Sequence, residues 1–163
     1  MTDPEVEAAS SEIRRNYDLC TEAILNGDPD GFVAAFGPAS RGETAEGVPV
    51  MMAAVRDYIA WRMGRTVIAH SFVVEFDSVE GSGDEVWIEF TEDSSATVLD
   101  AHNQPALRNA HSTNRALWRR EDGEWNQVGG SEQARLMVNG VEVDREGDPV
   151  GVPAYRAARS RDS

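Results

Sequence analysis

The chain has 163 residues, 29 acidic against 15 basic, for a formal charge of −14 and a pI of about 4.5. That length fits one domain with a sizeable core. The charge balance argues against binding nucleic acid through its phosphates, which needs a stripe of cations. All 15 basic residues are arginine, so lysine Schiff-base chemistry and a lysine-bearing phosphate loop are excluded. No apolar run approaches the roughly 18 residues of a membrane span. Residues Met1 to Ser10 are acidic and polar and do not read as a secretory signal, and the single Cys20 excludes an internal disulfide. A cytoplasmic location is expected.

Residues 5 to 26 are expected to form one amphipathic helix, because Ile13, Tyr17, Cys20, Ile24 and Leu25 recur at steps of three and four, and Gly27 closes it. "DPDGFVAAFG" reads as a short second helix with Asp28 as N-cap and Pro29 at the first helical position. Residues Gly37 to Gly47 read as a loop, and Val48 to Gly64 as a third helix with Met51, Val55, Tyr58, Ile59 and Met63 available to pack.

After Gly64 the period becomes twofold. "TVIAHSFVVEFDSV" alternates as a long strand, with Ile68, His70, Phe72, Val74 and Phe76 on one face. "GSGD" turns the chain into a second strand, "EVWIEFTEDSSATVLD", whose alternation turns Glu92 inward with Val86, Ile88 and Phe90. Two further strands, Leu107 to Arg120 and Glu124 to Gly129, flank the Asp122-Gly123 turn. Residues Glu132 to Gly140 read as a short helix. The single domain is expected over residues 5–140, with a loose tail over 141–163 rich in Arg, Asp, Gly and Pro. Helices first and antiparallel strands after them make an α+β plan.

The element order resembles the cone-shaped fold of the nuclear transport factor 2-like superfamily. The hairpin "LWRREDGEW" resembles that of SnoaL-like domains, and "AHSTNRALWRREDGEWNQVGG" resembles a segment of scytalone dehydratases, cofactor-free lyases. The fold-level likeness covers roughly residues 8 to 138, and the sharper one about 20 residues. The resemblance implies a curved sheet enclosing a pocket, with Ser112 and Asn114 binding a substrate hydroxyl and His70 as the catalytic histidine. By alternation Ser112 and Asn114 share the inner face with Ala110, Ala116 and Trp118, while His111, Thr113 and Arg115 face outward. At the family's Tyr-Asp pair stand Ile24 and Leu25, its second pocket histidine falls near Ala96, and no tyrosine lies in Gly37 to Gly47. Dehydration of scytalone itself is therefore not expected.

The candidate catalytic residues are His70, as general base, and Glu92, as its orienting or alternative carboxylate. A core histidine and an exposed acidic strand end are their plainer roles. The candidate substrate-binding residues are Ser112, Asn114, Tyr17, Tyr58, Trp118 and Met137, with Leu136 to Val138 closing the mouth. Packing is the plainer role for the tyrosines and the tryptophan. No metal or other cofactor is expected, because the three histidines are scattered and no His-x-x-x-His or Cys-x-x-Cys spacing exists. The expected function is a lyase, isomerase or cyclase acting by proton abstraction on a small apolar oxygenated molecule, such as a polyketide or terpenoid intermediate. A non-catalytic binding module of the same fold is the alternative. Neither nucleic acid nor membrane is an expected partner; the resemblance implies a homodimer or homotrimer formed through the outer sheet face.

Overall fold

A computed structural model describes residues 3–43, 46–100 and 102–143. Helix α1 (Pro4–Asn26) begins where the Asp3 side chain accepts the Glu5 amide and ends at Gly27, whose φ of 63° is left-handed. Helix α2 (Pro29–Ala35) is capped by Asp28, which accepts the Gly31 amide at 3.0 Å. Gly27 and Asp28 are the caps the sequence marks; the Asp3 cap is added by the structure. No described helix is long and apolar enough to cross a membrane.

The expected third helix is only half present. A short ribbon pairs β1 (Arg41–Glu43) with β2 (Pro49–Met51), a 3-10 turn follows over Met52–Val55, and α3 (Arg56–Gly64) carries the helical remainder. The Val48-Pro49-Val50 stretch has β-branched residues, and pairing with β1 satisfies its backbone, so tertiary contact overrides the helical pattern.

The rest is an antiparallel meander in sequence order: β3 (Thr66–Ser82), β4 (Glu85–Leu99), β5 (Pro105–Glu121), β6 (Glu124–Val138) and β7 (Val141–Val143). The β5–β6 turn places Asp122 and Gly123 at φ 53° and 80°, the paired positive values of the two-residue turn that suits strand twist. Register shifts at Thr66/Ile68, Ala69/Ser71, Phe76/Ser78 and Leu117/Trp118 bend the long strands. The result is an α+β cone with α1 lying on the inner face of the curved sheet.

Two expectations fail at the C-terminal side. Residues Glu132 to Val138 are strand, although "SEQARLMV" has helical composition, because the first half of β5 needs a second partner and β6 supplies it from Arg108↔Val138 to Arg115↔Ser131. Val141–Val143 pairs with Leu136–Val138 and so belongs to the sheet; the remainder of the expected tail lies outside the described residues.

The core fills one end of the cone. Ile13 and Tyr17 of α1 pack on Val74, Val86, Ile88, Phe90, Ala116 and Trp118, with Trp125 beside them. Asn126 ties this end to the segment after α2. Its Oδ1 accepts the Ala39 amide at 2.7 Å, its Nδ2 donates to the Glu124 carbonyl at 3.1 Å, and the Gln127 amide donates to Phe36 O. Asn126 is only 1% exposed, so Asn126→Ala leaves the Ala39 N–H without its partner. The variant is expected to lose about 2 kcal/mol in urea unfolding; a loss below about 0.5 kcal/mol would mean that water replaces the side chain.

Candidate functional site

Beyond the core the inner face turns polar. On β4 the inward residue after Phe90 is Glu92; on β5 the inward residues before Ala116 are Asn114 and Ser112; on β6 the inward residue after Gly130 is Glu132. The register sets Glu92 beside Ser112 and Glu132 beside Asn114. Two carboxylates on flanking strands therefore bracket a hydroxyl and an amide on the strand between them.

Asn114 Nδ2 donates to Ser112 Oγ at 2.8 Å, and Ser112 is buried. That bond leaves the serine O–H and the second amide N–H able to donate elsewhere. Behind Glu92 stand Tyr17 and Cys20 of α1, both buried. Burial first, then the charges of Glu132 and Asp93, push the Glu92 carboxyl up to about 7. Burial, with a smaller contribution from Glu92, pushes the Cys20 thiol up to about 12 and so keeps it inert.

An open cavity of about 1080 Å³ lies between the β1–β2 ribbon and the sheet. Asn114, Glu132 and Phe90 line its sheet side; Arg41, Val50 and Met52 line the other. Glu92 and Ser112 are not among its lining residues; they form the next inward pair along β4 and β5, two residues beyond Phe90 and Asn114.

The structure separates the candidate residues sharply. Glu92, Ser112 and Asn114 come together on the inner face, and His111, Thr113 and Arg115 face outward, as alternation predicts. His111 Nδ1 lies 2.6 Å from Asp93 Oδ1, and the Arg115 guanidinium sits 4.0 Å over the Trp87 ring.

His70 is a correction. Ala69 pairs with Ala96 and Ser71 with Ser95, so His70 is the extra residue of a bulge. The bulge turns it to the outer face, where Nε2 meets Thr97 Oγ1 at 2.6 Å and the ring is exposed. Alternation through Phe72, Val74 and Phe76 cannot reveal a bulge at a position that any residue type tolerates.

Four further candidates stand away from the cavity. Tyr17 is buried among Phe76, Phe90 and Trp118, and its hydroxyl accepts the Trp118 indole N–H at 3.2 Å. Burial holds that phenol well above its ordinary range. Trp118 is fully buried, so no part of it reaches a ligand. Tyr58 is 57% exposed and stacks on Trp61, because α3 buries none of its residues. Met137 lies on the outer face opposite Asn109, beside a shallow outer groove of about 540 Å³ that includes His111 and Asp93. Leu136 to Val138 is paired strand and closes no mouth.

Glu132 escapes the sequence reading because its segment reads as helix. Had the strand been continued past Gly129 with one bulge, alternation would have turned Glu132 inward. Among the described residues, no group of three His, Cys, Asp or Glu side chains is arranged to hold a metal ion.

No protein-family model and no curated protein matches the chain. Solved structures do. A conserved protein from Planctomyces limnophilus superposes with a TM-score of 0.64 at 14% identity, over 80% of this chain and 99% of the other. A protein from Novosphingobium aromaticivorans, provisionally described as a scytalone dehydratase, gives 0.62 at 11% identity over 88% and 94%. A protein from Streptomyces avermitilis, provisionally described as a dehydratase of the nuclear transport factor 2-like family, gives 0.56 at 15% identity over 78% and 96%. At these identities the likeness establishes the fold: this chain has the cone-shaped nuclear transport factor 2-like fold.

Proposed function

We propose that the chain is a cofactor-independent lyase, isomerase or cyclase that removes a proton next to a carbonyl in a small, apolar, oxygenated metabolite of polyketide or terpenoid type. The observation that carries this reading is the Glu92 carboxyl, pushed up to about 7 beside the Ser112–Asn114 pair. A partly buried carboxylate with such a value is half ionised at neutral pH and strongly basic for its kind.

Each residue then has a role. Glu92 takes the proton from carbon. The Ser112 hydroxyl and the free Asn114 N–H donate to the oxygen on which negative charge develops. Protonated Glu92 returns its proton to a departing hydroxyl, completing loss of water, or to another carbon, completing isomerisation. Burial sets the raised Glu92 value, and the charge of Glu132 adds to it. The dehydratase-type descriptions of two structural neighbours support the same reaction class.

The test uses the ring opening of nitrobenzisoxazole, which needs only proton removal from carbon in apolar surroundings. The parent should accelerate it with a rate that rises to a plateau above about pH 7, and Glu92→Gln should be about a hundredfold slower. Equal rates for the two proteins remove Glu92 as base. A binding module is the second reading, favoured by the bond that lets Asn114 and Ser112 satisfy each other. Probe binding without turnover in the parent would establish it.

A further inference from the structure

Arg108 is inward-facing on β5, four residues before Ser112 and beside Ala96 of β4 and Val138 of β6. Its Nε is buried and has no hydrogen-bond partner among the described residues. Burial, and next to it the charge of Arg62 on α3, disfavour its charged form. Arg62 comes to this end of the sheet because α3 runs directly into β3, whose first residue pairs with Val98 of β4.

A pair of neighbouring guanidiniums is out of character for this chain. Acids outnumber arginines almost two to one, and arginines 14, 41, 56, 115, 119, 120 and 135 each have an acidic partner. None of the ion pairs among the described residues involves Arg15, Arg62, Arg65 or Arg108, and of these four only Arg108 has a buried guanidinium N–H without a hydrogen-bond partner. A half-buried guanidinium with an unanswered N–H and a like charge nearby costs stability unless an oxyanion completes it.

We propose that Arg108, with Arg62 beside it, anchors the carboxylate of the ligand that occupies the inner face, so that the substrate is an apolar carboxylic acid. This deepens the function proposed above and rests on it for the reacting end. Four residues of strand set Arg108 about 13 Å from Ser112. The inward residues between and beside them, Ala96, Ala110, Leu136 and Val138, present an apolar wall. A carboxylate held by the planar fork of Arg108 would place the far part of an apolar chain at Glu92 and Ser112. The choice of arginine for a carboxylate follows from that fork, and the buried Nε–H supplies the donor that fixes its orientation.

The test compares octanoate with octanol by isothermal titration calorimetry on the whole chain. Octanoate should bind the parent about tenfold more tightly than octanol does, and Arg108→Gln should erase that difference while leaving octanol binding unchanged. Arg62→Gln, on the poorly buried α3, should weaken octanoate by a smaller factor and guards against a folding defect at Arg108. Equal affinity for the acid and the alcohol in the parent, or no binding of either, overturns the anchor. So does an Arg108→Gln variant that keeps the full preference. The neutral nitrobenzisoxazole probe needs no anchor, so its ring opening still reports on Glu92 if the anchor fails.

Discussion

Trp118→Ala should lower folding stability by about 4 kcal/mol, measured as a shift in the urea midpoint at unchanged slope. Trp118 is wholly buried where α1, β4 and β5 meet, with the Tyr17 ring 5.5 Å away on one side and Phe36 stacked at 6.4 Å on the other. Truncation removes the largest fully buried side chain and opens a cavity between walls that are themselves pinned. On the helix side Tyr17 is held by Phe76 and Phe90, and on the sheet side the neighbouring strands are paired along their length. Collapse into the space is thus resisted, which puts the cost toward the upper part of the range for such changes.

A double-mutant cycle separates the polar part. Trp118→Phe and Tyr17→Phe each remove one end of the bond between the indole N–H and the phenol oxygen. Their coupling should be about 1 kcal/mol. A loss below about 1.5 kcal/mol for Trp118→Ala would mean that the cone collapses around the deletion, and that this end is less rigid than its packing implies.

Glu92→Gln should make the protein more stable at neutral and alkaline pH, by about 3 kcal/mol near pH 8. The folded state holds the Glu92 proton up to about 7, whereas an ordinary glutamate releases it near 4.5. Between these values unfolding releases a proton. Stability therefore falls as pH rises through the window, and the loss is complete above about 7. Glutamine mimics the protonated carboxyl at every pH. The two proteins should match below the window and diverge across it, with the parent the less stable. Because the other carboxylates are common to both proteins, the difference curve isolates Glu92. Parallel stability curves from acid to alkaline pH would show that Glu92 is solvated and would remove the basis of the proposed chemistry. A carboxylate that destabilises the fold where it is ionised is what a site selected for reactivity rather than for stability would contain.

The outer and inner assignments along Ala110 to Trp118 were legible from alternation alone, because a half-buried strand has a strict period of two. Ser112, Asn114 and Glu92 could thus be brought to one face from residue order. The same logic misplaced His70, since a bulge adds one residue and reverses facing, and no residue type marks it. Met137 and Glu132 were misread for another reason. Their segment has helical composition, and only the need of β5 for a partner on its open edge makes it a strand.

By itself, the sequence determined the α+β order, the C-cap of α1, the N-cap of α2, the Asp122-Gly123 turn and the polar interruption at Ser112 and Asn114. These rest on local chemistry: a side-chain acceptor at a helix start, a positive φ at a turn, a twofold period on a strand. Tertiary structure alone decided which tyrosine is core and which is exposed, where the bulges fall, that the charge of Glu132 acts on Glu92, and that the charge of Arg62 acts on Arg108. Each of these depends on which strand lies beside which and how far the sheet bends. Contacts between residues distant in the chain settle that, and no local pattern records it.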